Sequence, residues 1–304
     1  MKLSVLMTAL VLLGTPVLAV ADDLESSFQN LKDAEAKGDA AQVKKLAGET
    51  AILARQAIAE PAPQADDEKE AWTQRVAWAK YVESYTEYAL YAVAVKSPAA
   101  TTVDLLAALE RQNPNSKYLD QGYGNYLYAL SQSGGSARIT AVAERGLQSF
   151  PENEDLLLVL ADNSMSAKQP DKALGYANRL LAVLGRHPKP EGMADSDWER
   201  KRTTALGRGY WISGVINGER NQHAAADRSL RAALPAIRGN DAMTGPALFY
   251  LGVANYNLGL MTNNKAKVLE GAKFSDDCSK IVGPYQEQAW KNAQAMKTKA
   301  GTMR

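Results

Sequence analysis

From Asp22 onward the apolar residues recur at helical spacing, and no run alternates apolar and polar positions with the β-branched enrichment of a strand. Leu24, Phe28 and Leu31 begin the first amphipathic segment, which Gly38-Asp39 breaks. Val43, Leu46, Thr50, Leu53 and Ile58 continue on a second helix. It ends at Glu60-Pro61-Ala62-Pro63, because proline lacks an amide donor and disfavours helix at the residue before it. Asp66-Asp67-Glu68 then puts negative charge where a helix N-terminus favours it, and a long helix is expected from about Asp67 to Lys96. Ser97-Pro98 stops that helix.

Beyond it the chain settles into pairs of helices. The expected segments are Thr102 to Arg111, Lys117 to Gln132, Ala137 to Phe150, Asp155 to Ala167 and Asp171 to Leu184. Pro114, Pro151 and Pro188 close three of the intervening turns at a constant spacing of 37 residues. A fixed period in the thirties marks stacked helical hairpins, which cannot bury their apolar faces singly.

The residues inside each period resemble a tetratricopeptide repeat. Leu206-Gly207 with Tyr210, and Leu251-Gly252 with Tyr256 one residue late, match the first helix of that repeat, and Lys172-Ala173-Leu174-Gly175-Tyr176-Ala177 matches the second. Small residues are needed there because two helices cross closely only where side chains are narrow. The match is incomplete: Leu127 stands where a small residue belongs, and the 45 residues from Gly207 to Gly252 imply an insertion near Asn217 to Gln222, with Gly239-Asn240-Asp241 as a second place for it. The segment Phe274 to Val282 carries no repeat pattern. The resemblance implies an all-α fold, a right-handed superhelical array of helical hairpins. It also implies a concave groove lined by the first helices of successive hairpins, which would carry Tyr128, Gln132, Asp162, Ser166, Arg208, Trp211, Tyr256 and Asn257. Such a mixture of aromatic, amide and charged groups suits an extended peptide or a partner helix.

The N-terminus changes the compartment. Met1-Lys2 precedes an apolar run from Leu3 to Leu13, then Gly14-Thr15-Pro16 and small residues at Ala19 and Ala21. This order reads as a secretory signal peptide, residues 1–21, cleaved after Ala21, with the mature chain in a bacterial periplasm. The run is too short for a membrane span, which needs roughly 20 apolar residues, and no later stretch reaches that length, so the mature chain is not expected to insert in a membrane. Removing residues 1–21 takes Lys2 from 35 basic residues and leaves 34 against 34 acidic ones. That balance offers nothing to nucleic acid. The single Cys278 forms no internal disulfide, so the apolar core must carry the fold.

Catalytic signatures are sparse. His187 and His223 have no partner at metal-ligand spacing and read as surface histidines. Asp276-Asp277-Cys278 places carboxylates, not a base or a cation, beside the thiol, and reads as a helix cap before Lys280-Ile281. No catalytic residue, metal or cofactor is expected. Aromatic residues concentrate on two helices, with Trp72, Trp78, Tyr81, Tyr85, Tyr88 and Tyr91 on one and Tyr118, Tyr123, Tyr126 and Tyr128 on the other. Their spacing is that of a packed face, except that Tyr126 and Tyr128 point about 200° apart, so one of the two faces solvent.

The expected organisation is a signal peptide over 1–21, an N-terminal hairpin over 22–63, a repeat array over 64–273 and a capping helix over 274–304. The expected function is a non-catalytic periplasmic scaffold for a protein or peptide partner. Two other readings stay open: an envelope enzyme accessory, and a small-ligand-binding protein using the helix around Trp78 to Tyr91, which a closed apolar pocket of about 300 Å3 would favour.

Overall fold

The structure, a computed structural model, describes residues 16–190 and 193–303, the first seven of these as backbone only. The apolar run Leu3 to Leu13, on which the signal-peptide reading rests, lies outside the described residues. Among the described residues there are thirteen α-helices and no strand. The chain divides into two compact units, one reaching to Ser136 and one from Ala137. That division falls inside the stretch expected as one array.

The first unit holds α1 (Pro16–Ala36), α2 (Ala40–Ala59), α3 (Asp66–Ala94), α4 (Ala99–Gln112) and α5 (Lys117–Gln132). Each helix packs on the next, and α3 also reaches α1 and α5. Leu24, Phe28, Ala54, Ala79 and Val82 form the core where α1, α2 and α3 meet. Gly122 sits at a close approach, because a β-carbon there would lie 3.2 Å from Leu106 and 3.4 Å from the Tyr91 ring. Tyr126 is fully buried and Tyr128 is 68% exposed, as their angular separation on one helix requires.

In the second unit, after a 3-10 turn at Ser136–Arg138, come α6 (Ile139–Ser149), α7 (Glu154–Ser166), α8 (Pro170–Leu184) and α9 (Asp195–Glu219). They are followed by α10 (His223–Ile237), α11 (Asp241–Met261), α12 (Lys265–Cys278) and α13 (Gln286–Thr302). The helices α7/α8, α9/α10 and α11/α12 pair as hairpins, and α9 and α11 each also reach the helices two before and two after them. The fold is therefore an all-α array of helical hairpins. Pro151 and Pro188 lie in the loops that enter α7 and α9, the first helices of two hairpins.

One turn geometry recurs inside these hairpins. Lys168, Asn221 and Asn263 take left-handed φ of 55°, 57° and 47°. Behind each, the next amide donates back across the turn: Gln169 to Ser164, Gln222 to Asn217 and Asn264 to Gly259, at 2.9, 2.8 and 2.7 Å. This closure satisfies a helix-terminal carbonyl and sends the chain back along the helix it has left. Gly38 (φ 65°) and Gly134 (φ 76°) repeat it at the ends of α1 and α5.

Two features differ from expectation. No loop is inserted near Asn217: α9 runs unbroken to Glu219, and Asn217 is buried within it. The extra residues lengthen helices, giving 25 residues in α9 and 21 in α11. Asp276, Asp277 and Cys278 form the last turn of α12, where Lys280 pairs with both carboxylates, so they end one helix and do not cap the start of another.

Candidate functional site

In the second unit α9 lies against both α7 and α11, so the first helices of consecutive hairpins share a face. Residues seven apart on a helix stand on the same side, two turns from each other. Asp155 and Asp162 are so placed on α7, and Lys201 and Arg208 face them from α9. The Lys201 ammonium lies 2.8 Å from Asp155 and 3.0 Å from Glu154, and Arg208 Nε donates to Asp162 Oδ1 at 2.6 Å. The Arg208 guanidinium also sits 4.8 Å from the centre of the Trp211 ring, and Trp211 Nε1 donates to the Met243 carbonyl on α11 at 2.8 Å.

These groups are partly withdrawn from water. Burial raises the Asp162 carboxyl above its ordinary value, and the charge and hydrogen bond of Arg208 only partly offset it. Burial by itself lowers the Lys201 ammonium, but Asp155 and Glu154 outweigh it and the net direction is up.

Of the expected groove residues, the structure brings Asp162, Arg208 and Trp211 into one cluster. Ser166 stands exposed one turn beyond Asp162 on α7. Tyr256 and Asn257 do not join them. Trp211 meets α11 at Met243, and Tyr256 lies thirteen residues further on, roughly 20 Å along the helix. Tyr256 packs instead with Val268, Ala272 and Met296, and Asn257 Nδ2 donates to the Val253 carbonyl at 2.8 Å. Tyr128 and Gln132 belong to the first unit, exposed on the C-terminal half of α5. Met243 escaped the sequence reading because only its backbone carbonyl takes part, and no side-chain pattern reports that.

A second grouping lies in the first unit, where α3 touches α1 and α5. Phe28 on α1 meets Tyr81 and Tyr85 edge-on at 6.0 and 5.1 Å between ring centres. Tyr85 is 5.6 Å from Tyr88, Tyr88 is 5.6 Å from Tyr118 on α5, and Tyr91 stacks on Tyr118 at 6.0 Å. A cleft of about 250 Å3 opens along this row, lined by Tyr81, Ser84, Tyr85, Tyr88 and Tyr118. Tyr85 donates its hydroxyl to Glu35 Oε2 at 2.6 Å. Burial, then the Glu35 hydrogen bond and charge, push the Tyr85 phenol well above its ordinary range. The spacing of the α3 tyrosines was visible in sequence, whereas their junction with Phe28 and Tyr118 was not, since it joins residues far apart in the chain.

His187 lies 3.7 and 3.6 Å from Glu152 and Glu154, and burial lowers the His223 imidazole at the start of α10. Cys278 is buried, with its thiol donating to the Gly245 carbonyl at 3.3 Å. Among the described residues no group of three His, Cys, Asp or Glu side chains could hold a metal ion. Among the same residues no helix is long and apolar enough to cross a membrane.

No family model matches this sequence, and no curated protein does. One solved chain, described as "Computational Design of Self-Assembling Cyclic Protein Homooligomers", is similar to it at 13% identity over 94% of this chain and 95% of that one, with a TM-score of 0.23. A likeness of that degree carries no argument about this protein.

Proposed function

We propose that this chain is an exported, periplasmic, tetratricopeptide-like scaffold that binds a protein or peptide partner and catalyses no reaction. The observation that carries this reading is the shared face of α7, α9 and α11, where Asp162, Arg208 and Trp211 meet in a half-buried cluster with an exposed Ser166 beside it. A desolvated Arg stacked on Trp, flanked by a carboxylate, is the composition of an interface anchor. The cluster is already satisfied within the chain, so a partner would gain from apolar and stacking contact beside it more than from new ion pairs.

Site-specific photocrosslinking in cells tests this. Benzoylphenylalanine placed at Ser166 is expected to give discrete adducts recovered from the osmotic-shock fraction. The same probe at Lys172 or Arg228, exposed on the second helices α8 and α10, is expected to give none. Equal adducts at all three positions, or adducts at the second helices alone, would overturn the assignment of the face, and recovery only from the cytosol would overturn export.

A further inference from the structure

We propose that the tyrosine cleft of the first unit binds an organic cation, a quaternary ammonium or the cationic end of a basic side chain. Four phenol rings converge on one cleft, three from α3 at a spacing of three to four residues and one, Tyr118, from α5. If these rings served only to fill a core they would be covered. Tyr81 is 57% exposed and Tyr88 37%, whereas Val82, Ala89 and Leu90 on the same helix are buried. Tyrosine surface is therefore left open to solvent beside the core formed by their buried neighbours.

Open ring faces carry negative potential and attract cations. The two ends of the row display this already: the Lys32 ammonium lies 5.5 Å from the centre of Phe28 and the Lys117 ammonium 4.9 Å from that of Tyr118. Among the described residues no cation is placed over Tyr81, Tyr85 or Tyr88, the rings between those ends. Behind them stands Glu35. Among the described residues it has no ion-pair partner, and its carboxylate is held only by the Tyr85 hydroxyl. A half-buried carboxylate without a counter-ion, next to several unoccupied ring faces, is complementary to a positive charge. An uncharged apolar ligand would gain little, because so shallow a cleft removes little of its surface from water. This inference stands apart from the reading of the second unit.

The test titrates the mature protein with choline and with 3,3-dimethylbutanol, its uncharged isostere, and reads the tyrosine ring resonances by NMR. Choline is expected to shift the rings of Tyr81, Tyr85, Tyr88 and Tyr118 saturably and to bind roughly tenfold more tightly than the isostere, the factor that a few cation–ring contacts supply. N-acetylarginine amide forms a second arm. Tighter binding by it identifies a basic side chain as the natural occupant, and preference for choline identifies a free quaternary ammonium. Glu35→Gln keeps an acceptor for Tyr85 and removes the charge, so it should weaken choline binding several-fold, and Tyr88→Leu should abolish it with the helical circular dichroism unchanged. The proposal is overturned if the isostere binds as well as choline, if neither cation saturates, or if Glu35→Gln leaves choline affinity unaltered.

Discussion

At the scale of single residues, Cys278 shows how burial decides reactivity. A thiol reacts as its thiolate, and the thiolate needs water or a cation. Cys278 has neither: it is fully buried, its proton is engaged with the Gly245 carbonyl, and burial pushes the thiol up to about 11. Because the folded pKa lies above the unfolded one, the native state keeps this proton longer. The site is therefore neutral to stability below about pH 9, and stability is lost as pH rises from there towards 11. At pH 8 the thiolate fraction in the folded chain is about 100-fold below that of a free thiol, so Ellman's reagent should react at least ~100-fold more slowly than in urea. A native rate equal to the unfolded rate would contradict this account. In the sequence the charged groups next to Cys278 are carboxylates, which disfavour a thiolate. Its actual protection, the floor of α11 at Gly245, comes from 33 residues away.

Between helices the decisive positions are glycines at crossings. A β-carbon on Gly207 would lie 2.3 Å from that of Ala236, and one on Gly252 would lie 2.3 Å from Ser275 Oγ and 3.2 Å from the Gly271 carbonyl. Seven residues on, a β-carbon on Gly214 would lie 2.5 Å from the Leu230 side chain and one on Gly259 2.6 Å from that of Val268. Both hairpins, α9/α10 and α11/α12, are thus drawn together over two turns by glycines seven apart on the first helix. Gly252→Ala is expected to destabilise the protein by about 1–3 kcal/mol, since the overpacking outweighs the gain in helix propensity. Gly175→Ala is the contrast: nothing lies within 4 Å of the added carbon on an exposed face of α8, and the change should stabilise by about 0.5–1 kcal/mol. Urea denaturation of the two variants checks both signs, and a neutral Gly252→Ala would refute the close-crossing argument. The Leu-Gly motifs at 206 and 251 were legible because such a crossing demands a small residue whatever its neighbours. The register between α9 and α11 was not. Asp155 with Lys201 and Asp162 with Arg208 give an offset of 46 between α7 and α9, whereas Trp211 with Met243 and Gly218 with Tyr250 give 32 between α9 and α11. Matching Gly207 to Gly252 implies an offset of 45 between α9 and α11, 13 more than the structure has, so Tyr256 and Asn257 fall away from the cluster.

For the molecule as a whole, the two units each carry their own buried cores: Leu24, Phe28, Ala54, Ala79 and Val82 in the first, and in the second the residues around Trp211, Ile212 and Leu230 and those around Leu180 and Trp198. A helical array gains stability from nearest-neighbour interfaces, so a fragment retaining its interfaces should fold alone. Residues 137–304, produced by themselves, are expected to show helical circular dichroism and a cooperative thermal transition. A fragment that is unfolded at 25 °C would show that the second unit is not autonomous.

What the sequence by itself determined is local: the all-α class, helix ends within a few residues, the turn at Gly38, and the small residues at the hairpin crossings. Each of these depends on the 3.6-residue period, on proline and glycine, and on neighbours within one or two turns, so it is written in consecutive residues. Only the tertiary structure decided which residues of separate helices stand opposite each other. The extra length of α9 and α11, the stagger that puts Trp211 on Met243, and the meeting of Phe28, Tyr88 and Tyr118 in one row are set by how side chains interlock between helices. A stagger changed by one turn would leave every local signal intact and replace every such contact.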